Sequence, residues 1–367
     1  MASGIRNPQC GRRACPKSGV VQALPEHRDC WYRCVMDRFA KLLVKFTVTA
    51  LLFWFAASAA DLPRMLELLA KARPDWLAVS LALMFGIIVL DALSFSVVMR
   101  ILGHRLRFRA SLVYGLAGMF FGNLAPSTFG GDIFRAVQMQ RLGAPIGTAL
   151  RPVLTMRFVS FATLIAVILL GLPIALEVVR GGVGRTALIA IAASGGAALI
   201  AAYAMILALP QLRRVQRLSF LNRILALVDD FRRVHQDGAG TVICLALAVA
   251  QHVVRVAVLA AVAASLQLEI PFATLFALAP AALLAAMIPI SLGSWGLREA
   301  AFVVFLGSAG VAGEAALSLS IAFGLLRLVM GAIGGATWLV AGSHHFAFDL
   351  GIDTKGRADA ETSEIRS

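Results

Sequence analysis

The sequence predicts an all-α integral membrane protein of about six transmembrane helices plus two re-entrant helical hairpins, arranged as an inverted repeat. Three observations carry that expectation. The chain of 367 residues is 59% hydrophobic and only 15% charged, with a mean hydropathy of +0.83, whereas a soluble domain carries about a quarter charged residues. Its apolar residues gather into runs of about 20, the length that crosses about 30 Å of hydrocarbon at 1.5 Å rise per residue. Two similar motifs, one in each half, break apolar runs with proline and glycine.

Taken in order, residues 1–38 are expected to be a disordered extension, or one outside the functional chain, since no apolar core precedes residue 40. Met36 opens the basic lead "MDRFAKLLVKF" into the first span. Cys10, Cys15, Cys30 and Cys34, with His27 between them, lack the tight pairing of a zinc knuckle, so no metal is expected. Cys244 sits inside a span and reads as a packing residue. The membrane domain is placed at 39–342, in halves of about 39–180 and 185–342. Its six spans lie near 42–60, 76–99, 152–172, 187–209, 241–264 and 316–341. A polar tail follows at 343–367.

Two runs do not read as simple spans. Residues 111–126 end at Pro126 and a short run follows from 131; residues 272–289 end at Pro289 and a helix resumes near Trp295. Backbone broken at membrane depth loses hydrogen bonds and must be enclosed by protein or line a wet cavity, which is the expectation for a hairpin.

Loop charge supports this count. Arg100, Arg105, Arg107 and Arg109 fall in one connector, and Arg213, Arg214, Arg217, Arg223, Arg232 and Arg233 in another, while 265–272 has no Lys or Arg. Counting each hairpin as a single span would put the six-arginine segment outside, against the positive-inside rule. The expectation is a multi-pass protein of the cell inner membrane with both termini cytoplasmic. The net charge of +14 then orients the chain and meets anionic lipid heads, with no need of nucleic acid. Residues 213–234 read as an amphipathic surface helix. Segment 61–75, with Arg64, Lys71 and Arg73 among Asp61, Glu67 and Asp75, reads as a charged connector.

"APSTFGGDIFR" (125–135) and "IPISLGSWGLR" (288–298) both fit P-x3-G-x4-R. From Pro126 to Pro289 is 163 residues, too long for a solenoid period, so the pattern implies a duplication. Each half would contain three spans and one hairpin, and an odd number of crossings turns the second half over. Inverted repeats with broken helices characterise secondary transporters, whose sites lie near the midplane.

Within the motifs, Pro126 and Pro289 break the helix. Gly130, Gly131, Gly293 and Gly296 permit a tight tip and close approach of a ligand. The restarting helices present positive N-terminal ends suited to phosphate. Arg135 and Arg298, with Arg157 and Arg327 inside downstream spans, supply guanidinium groups that grip phosphate oxygens bidentately. Charges placed inside spans are functional candidates. The bland alternative makes these groups structural: Asp132 caps the restarting helix or pairs with Arg135, Glu299 pairs with Arg298, and Asp91 is a coupling group or a partner for Arg255. His252 reads as a packed polar residue and Arg100 as a snorkelling one.

These residues carry a family resemblance. "GNLAPSTFGGDIFRAVQMQRLG", "IPISLGSWGLREAAFVVFLGSAGV" and "FGLLRLVMG" resemble the lysylphosphatidylglycerol synthase transmembrane region, the flippase-like family, over about 38–342. The resemblance implies a polytopic inner-membrane protein that moves, or helps to move, a polar or anionic lipid between leaflets: a phospholipid, a hopanoid or a lipid-linked sugar. Two positions depart from the family pattern. Met156 stands where a Glu often precedes the third-span arginine, and Gly293-Ser294 where paired glycines are common. Aminoacylating relatives carry a large soluble domain after the membrane region; about 25 polar residues follow the last span here, so lysyl transfer is not expected. No enzyme activity and no cofactor are expected. A non-catalytic partner of envelope-lipid synthesis enzymes is the alternative. A membrane glycosyltransferase is the weaker one, because Asp61, Glu67, Asp75, Glu177 and Glu269 are scattered without a D-x-D or E-x-D pair.

Overall fold

The computed structural model describes residue 43 and residues 46–58, 60–103, 106–124, 129–141, 146–179, 181–208, 228–234, 236–288 and 294–341. Among them, all regular structure is helical. The chain runs α1 (Phe46–Ser58), α2 (Leu62–Ala70), α3 (Pro74–Ile101), α4 (Phe108–Leu124), α5 (Gly130–Arg141), α6 (Ile146–Val178) and α7 (Gly182–Ala208). It continues with α8 (228–234), α9 (Ala239–Ser265), α10 (Phe272–Ala285), α11 (Leu297–Ser308) and α12 (Gly313–Ala341). The expectations for residues 1–38, the polar tail, Pro126, Pro289 and Gly293 fall outside the described residues.

Among the described residues five helices, α3, α6, α7, α9 and α12, are long and apolar enough to cross a membrane. A sixth span is present if α1 and α2, bent by 89°, count as one. The protein is therefore an all-α, multi-pass membrane protein. Within the charged segment 61–75, residues Leu62–Ala70 form α2. Asp61 Oδ1 accepts from Arg64 N at 3.4 Å and caps α2, which rests on α12. Of the surface helix expected at 213–234, residues 213–227 fall outside the described residues and 228–234 form α8. Asp230 is buried and paired with Arg151 of α6, and the Phe231 ring packs on Phe158.

The interrupted runs are two helix pairs. α4 and α5 have 17 and 12 residues, α10 and α11 have 14 and 12. At 1.5 Å per residue none of the four reaches about 30 Å. Each pair packs against itself, as a hairpin does.

The two halves repeat. Shifted by 163, the boundaries of α3 to α6 fall within four residues of those of α9 to α12. Packing repeats as well: α4 lies on α12 as α10 lies on α6, α5 on α6 as α11 on α12, and α3 on α4 as α9 on α10. The corresponding helices α3 and α9 pack on one another, and they run antiparallel. Arg73 N donates to Ser265 O at one end (2.8 Å), Gln251 Nε2 to Ser94 Oγ midway (3.2 Å), and Gly240 faces Ile101 at the other end. Small residues allow the cross-half contacts. A Cβ on Gly334 would lie 2.1 Å from Leu116 O, and one on its counterpart Gly171 would lie 3.1 Å from Ala277 Cα, the close backbone approach that membrane helices use. Fully buried Leu259, Leu275, Leu278, Phe302 and Leu317 form the core where α9 to α12 meet.

Candidate functional site

A cavity of about 340 Å³ lies between the halves, walled by α3, α4, α5 and α6 from the first and α9, α10, α11 and α12 from the second. Its wall carries Asp91, Asp132, Arg135, Arg157, His252, Arg255, Arg298 and Arg327. Asp91, Arg255 and Arg327 stand near the middle of α3, α9 and α12. The first turns of α5 and α11 reach the same wall through Gly131, Asp132 and Arg298, so two positive helix ends face it.

Three carboxylates hold three of the guanidinium groups. Asp91 pairs with Arg135, so its partner is not Arg255. Asp132 pairs with Arg157 across the α5–α6 contact; it neither caps α5 nor binds Arg135. The local reason is reach: Asp132 and Arg157 lie on neighbouring helices facing one cavity, whereas Arg135, one turn further along α5, turns toward α3. Glu299 pairs with Arg298 as expected, with Nε to Oε1 at 3.1 Å. It also accepts from Gly296 N at 2.7 Å, satisfying a backbone donor at the start of α11, and from Ser320 Oγ at 3.2 Å. The pair is sealed: the two side chains are 3% and 0% exposed, against 26% and 18% for Arg157 and Asp132. Aromatic faces complete the seats, with Arg135 over Phe95, Arg157 over Phe129 and Arg298 over Trp295.

Arg255 and Arg327 are different. Among the described residues neither has a carboxylate within ion-pair distance. Arg255 Nη1 lies 3.0 Å from His252 Nδ1, and His252 Nε2 lies 3.1 Å from Ser160 O. Both contacts are satisfied when the ring is neutral, with Nε2 donating and Nδ1 accepting. The motif glycines divide by role. Gly131 lines the cavity, but its close neighbour is backbone: a Cβ on Gly131 would lie 2.5 Å from Gly118 O. Gly296, with φ +81°, faces Thr49 O of α1 rather than a ligand. Gly130 is buried and does not line the cavity.

Arg157 and Arg327 are not counterparts. Shifted by 163, Arg157 falls on Ser320 and Arg327 on Leu164, whereas Arg135 falls on Arg298 and Asp91 beside Arg255. Of the two mid-span arginines, Arg157 has a carboxylate partner in Asp132, and Arg327 has none within ion-pair distance among the described residues. Residues not singled out beforehand also build the site. Gly115 leaves room for Asp91 and Arg135, and a Cβ on Gly324 would lie 2.3 Å from Arg298 Nη2. Gln251 and Asn123 join helices across the halves, Asn123 Nδ2 donating to Arg327 O at 2.9 Å. Polar residues within apolar spans were the available signal for these two.

Fold and site together define a multi-pass helical membrane protein with a cationic cavity enclosed between two related halves. The family model of the lysylphosphatidylglycerol synthase TM region matches residues 42–335, and the chain belongs to that family. No curated protein matches the chain.

Proposed function

We propose that this protein binds the anionic headgroup of a lipid in the central cavity and moves that lipid between the leaflets of the cell inner membrane, acting as a transporter rather than an enzyme. The observation that carries the reading is the charge of the cavity: five arginines line it against two aspartates, with a third carboxylate, Glu299, buried behind Arg298. A guanidinium inside a span costs at least about 2.5 kcal/mol to insert, so two without carboxylates favour an exogenous anion. A phosphate group supplies it while the acyl chains stay in the bilayer. The antiparallel α3–α9 pair at the centre suits a mechanism in which the halves open the cavity first to one side and then to the other.

The test is transbilayer movement of fluorescent phosphatidylglycerol in proteoliposomes of the purified chain. Wild type is expected to accelerate movement over protein-free vesicles. Arg327→Lys should insert normally and move lipid less well, because a point charge replaces a two-pronged grip, and Arg327→Ala should be slower still. Full-rate movement by Arg327→Ala would overturn the site, and no movement by folded wild type would overturn transport by this chain alone.

A further inference from the structure

We propose that the cavity selects a headgroup bearing two negative charges, a phosphomonoester or a diphosphate, over the single charge of a phosphodiester. This rests on the reading of the cavity as the headgroup site and specifies what that site prefers. The surplus is lopsided. In the first half Asp91, Asp132, Arg135 and Arg157 cancel as two pairs, whereas in the second Arg298 and Glu299 cancel and Arg255 and Arg327 remain. Residues 125–128 and 289–293, the stretches between the hairpin helices, contain no charged side chain that would change the balance.

Arg255 and Arg327 line the same cavity from mid-span positions on α9 and α12. Arg255 bonds a neutral imidazole, which takes a hydrogen bond but cancels no charge. Arg327 has Arg298, Arg255 and Arg157 within electrostatic reach as like charges, and Glu299, itself paired with Arg298, as an opposite one. Arg135 Nε, in the same wall, is a buried donor with no hydrogen-bond partner among the described residues. A phosphodiester would cancel one of the two surplus charges and offer two free oxygens. A phosphomonoester cancels both and offers three oxygens, a closer match to two guanidinium forks.

The second ionisation of a phosphomonoester, near pH 6, supplies the test. Binding of phosphatidic acid and phosphatidylglycerol to the purified full chain in detergent is measured at pH 7.5 and pH 5.5. Phosphatidylglycerol keeps its charge over that range, so it reads any titration of Asp91, Asp132, Glu299 or His252 and serves as the reference. Wild type should bind phosphatidic acid about tenfold more tightly than phosphatidylglycerol at pH 7.5, the size of one charge-assisted contact, and the preference should shrink toward parity at pH 5.5. Arg255→Gln and Arg327→Gln should each weaken both lipids, phosphatidic acid about tenfold more than phosphatidylglycerol, and so abolish the preference. Arg327→Lys, which keeps the charge count, should weaken both lipids and retain the preference, and it also serves if a glutamine variant fails to fold. Free glycerol 3-phosphate should bind more weakly than phosphatidic acid; equal binding would make the ligand a soluble phosphate and overturn the proposal. Equal, pH-independent affinities for the two lipids, with both glutamine variants weakening them alike, would overturn the two-charge preference and leave the headgroup site standing. Glutamine variants that leave both lipids bound as in wild type would remove the site itself.

Discussion

Glu299 answers four donors at once, Gly296 N, Arg298 Nε and Nη2, and Ser320 Oγ, and is wholly buried while doing so. Replacing it by glutamine keeps the shape but leaves Arg298 as an uncompensated buried charge, a change that costs about 3–5 kcal/mol. Asp132 holds Arg157 in a partly exposed setting, where solvent takes over part of the work; Asp132→Asn should cost about 1–2 kcal/mol. Thermal melts in detergent should therefore rank Glu299→Gln well below Asp132→Asn, and the reverse order would show that the buried pair is not the structural one. Ser294 has φ +70°, a left-handed conformation that costs a non-glycine residue about 1 kcal/mol. Ser294→Gly should raise the melting temperature slightly, since the gain exceeds the entropy that glycine adds to the unfolded chain; a fall would mean that the serine side chain repays its strain.

At the scale of elements, most of the architecture was legible in the sequence. Spans of about 20 apolar residues and runs cut by Pro126 and Pro289 each have a physical reading that needs no tertiary knowledge, and α3 to α7, α9, α10 and α12 lie where those signals put them. What the sequence left open is what depends on which helix faces which. Asp91 finds Arg135 44 residues away and Asp132 finds Arg157 25 residues away, because α5 packs between α4 and α6 and presents two faces. Spacing along the chain does not encode that choice. The same holds for α2 and for the glycines that set contacts between helices. Gly334 permits α12 to touch the α4 backbone, so Gly334→Ala should separate the two and destabilise by about 1–3 kcal/mol. Gly86→Ala, with nothing within 4 Å of the added carbon, should be neutral or mildly stabilising. Equal melting temperatures for the two variants would show that the α4–α12 contact is not close packed.

For the whole molecule, the antiparallel α3–α9 pair and the exchange of packing partners between halves lead us to expect that the hairpins enter the membrane from opposite sides. In a cysteine-free background, Ser127→Cys and Ser291→Cys should react with an impermeant thiol reagent from opposite faces of the membrane; reaction of both from one face would contradict an inverted repeat. The two halves share a plan but not a charge, and the surplus of the second half gives the central cavity its chemistry. The most direct test of that claim is a native mass spectrum of the protein purified from membranes, compared with the Arg255→Gln/Arg327→Gln double variant and with an exposed control, Arg64→Gln/Arg73→Gln. Wild type and control should carry an anionic phospholipid through purification and the cavity variant should lose it, all three remaining folded. Retention of the same lipid by the cavity variant, or its absence from wild type, would contradict the account.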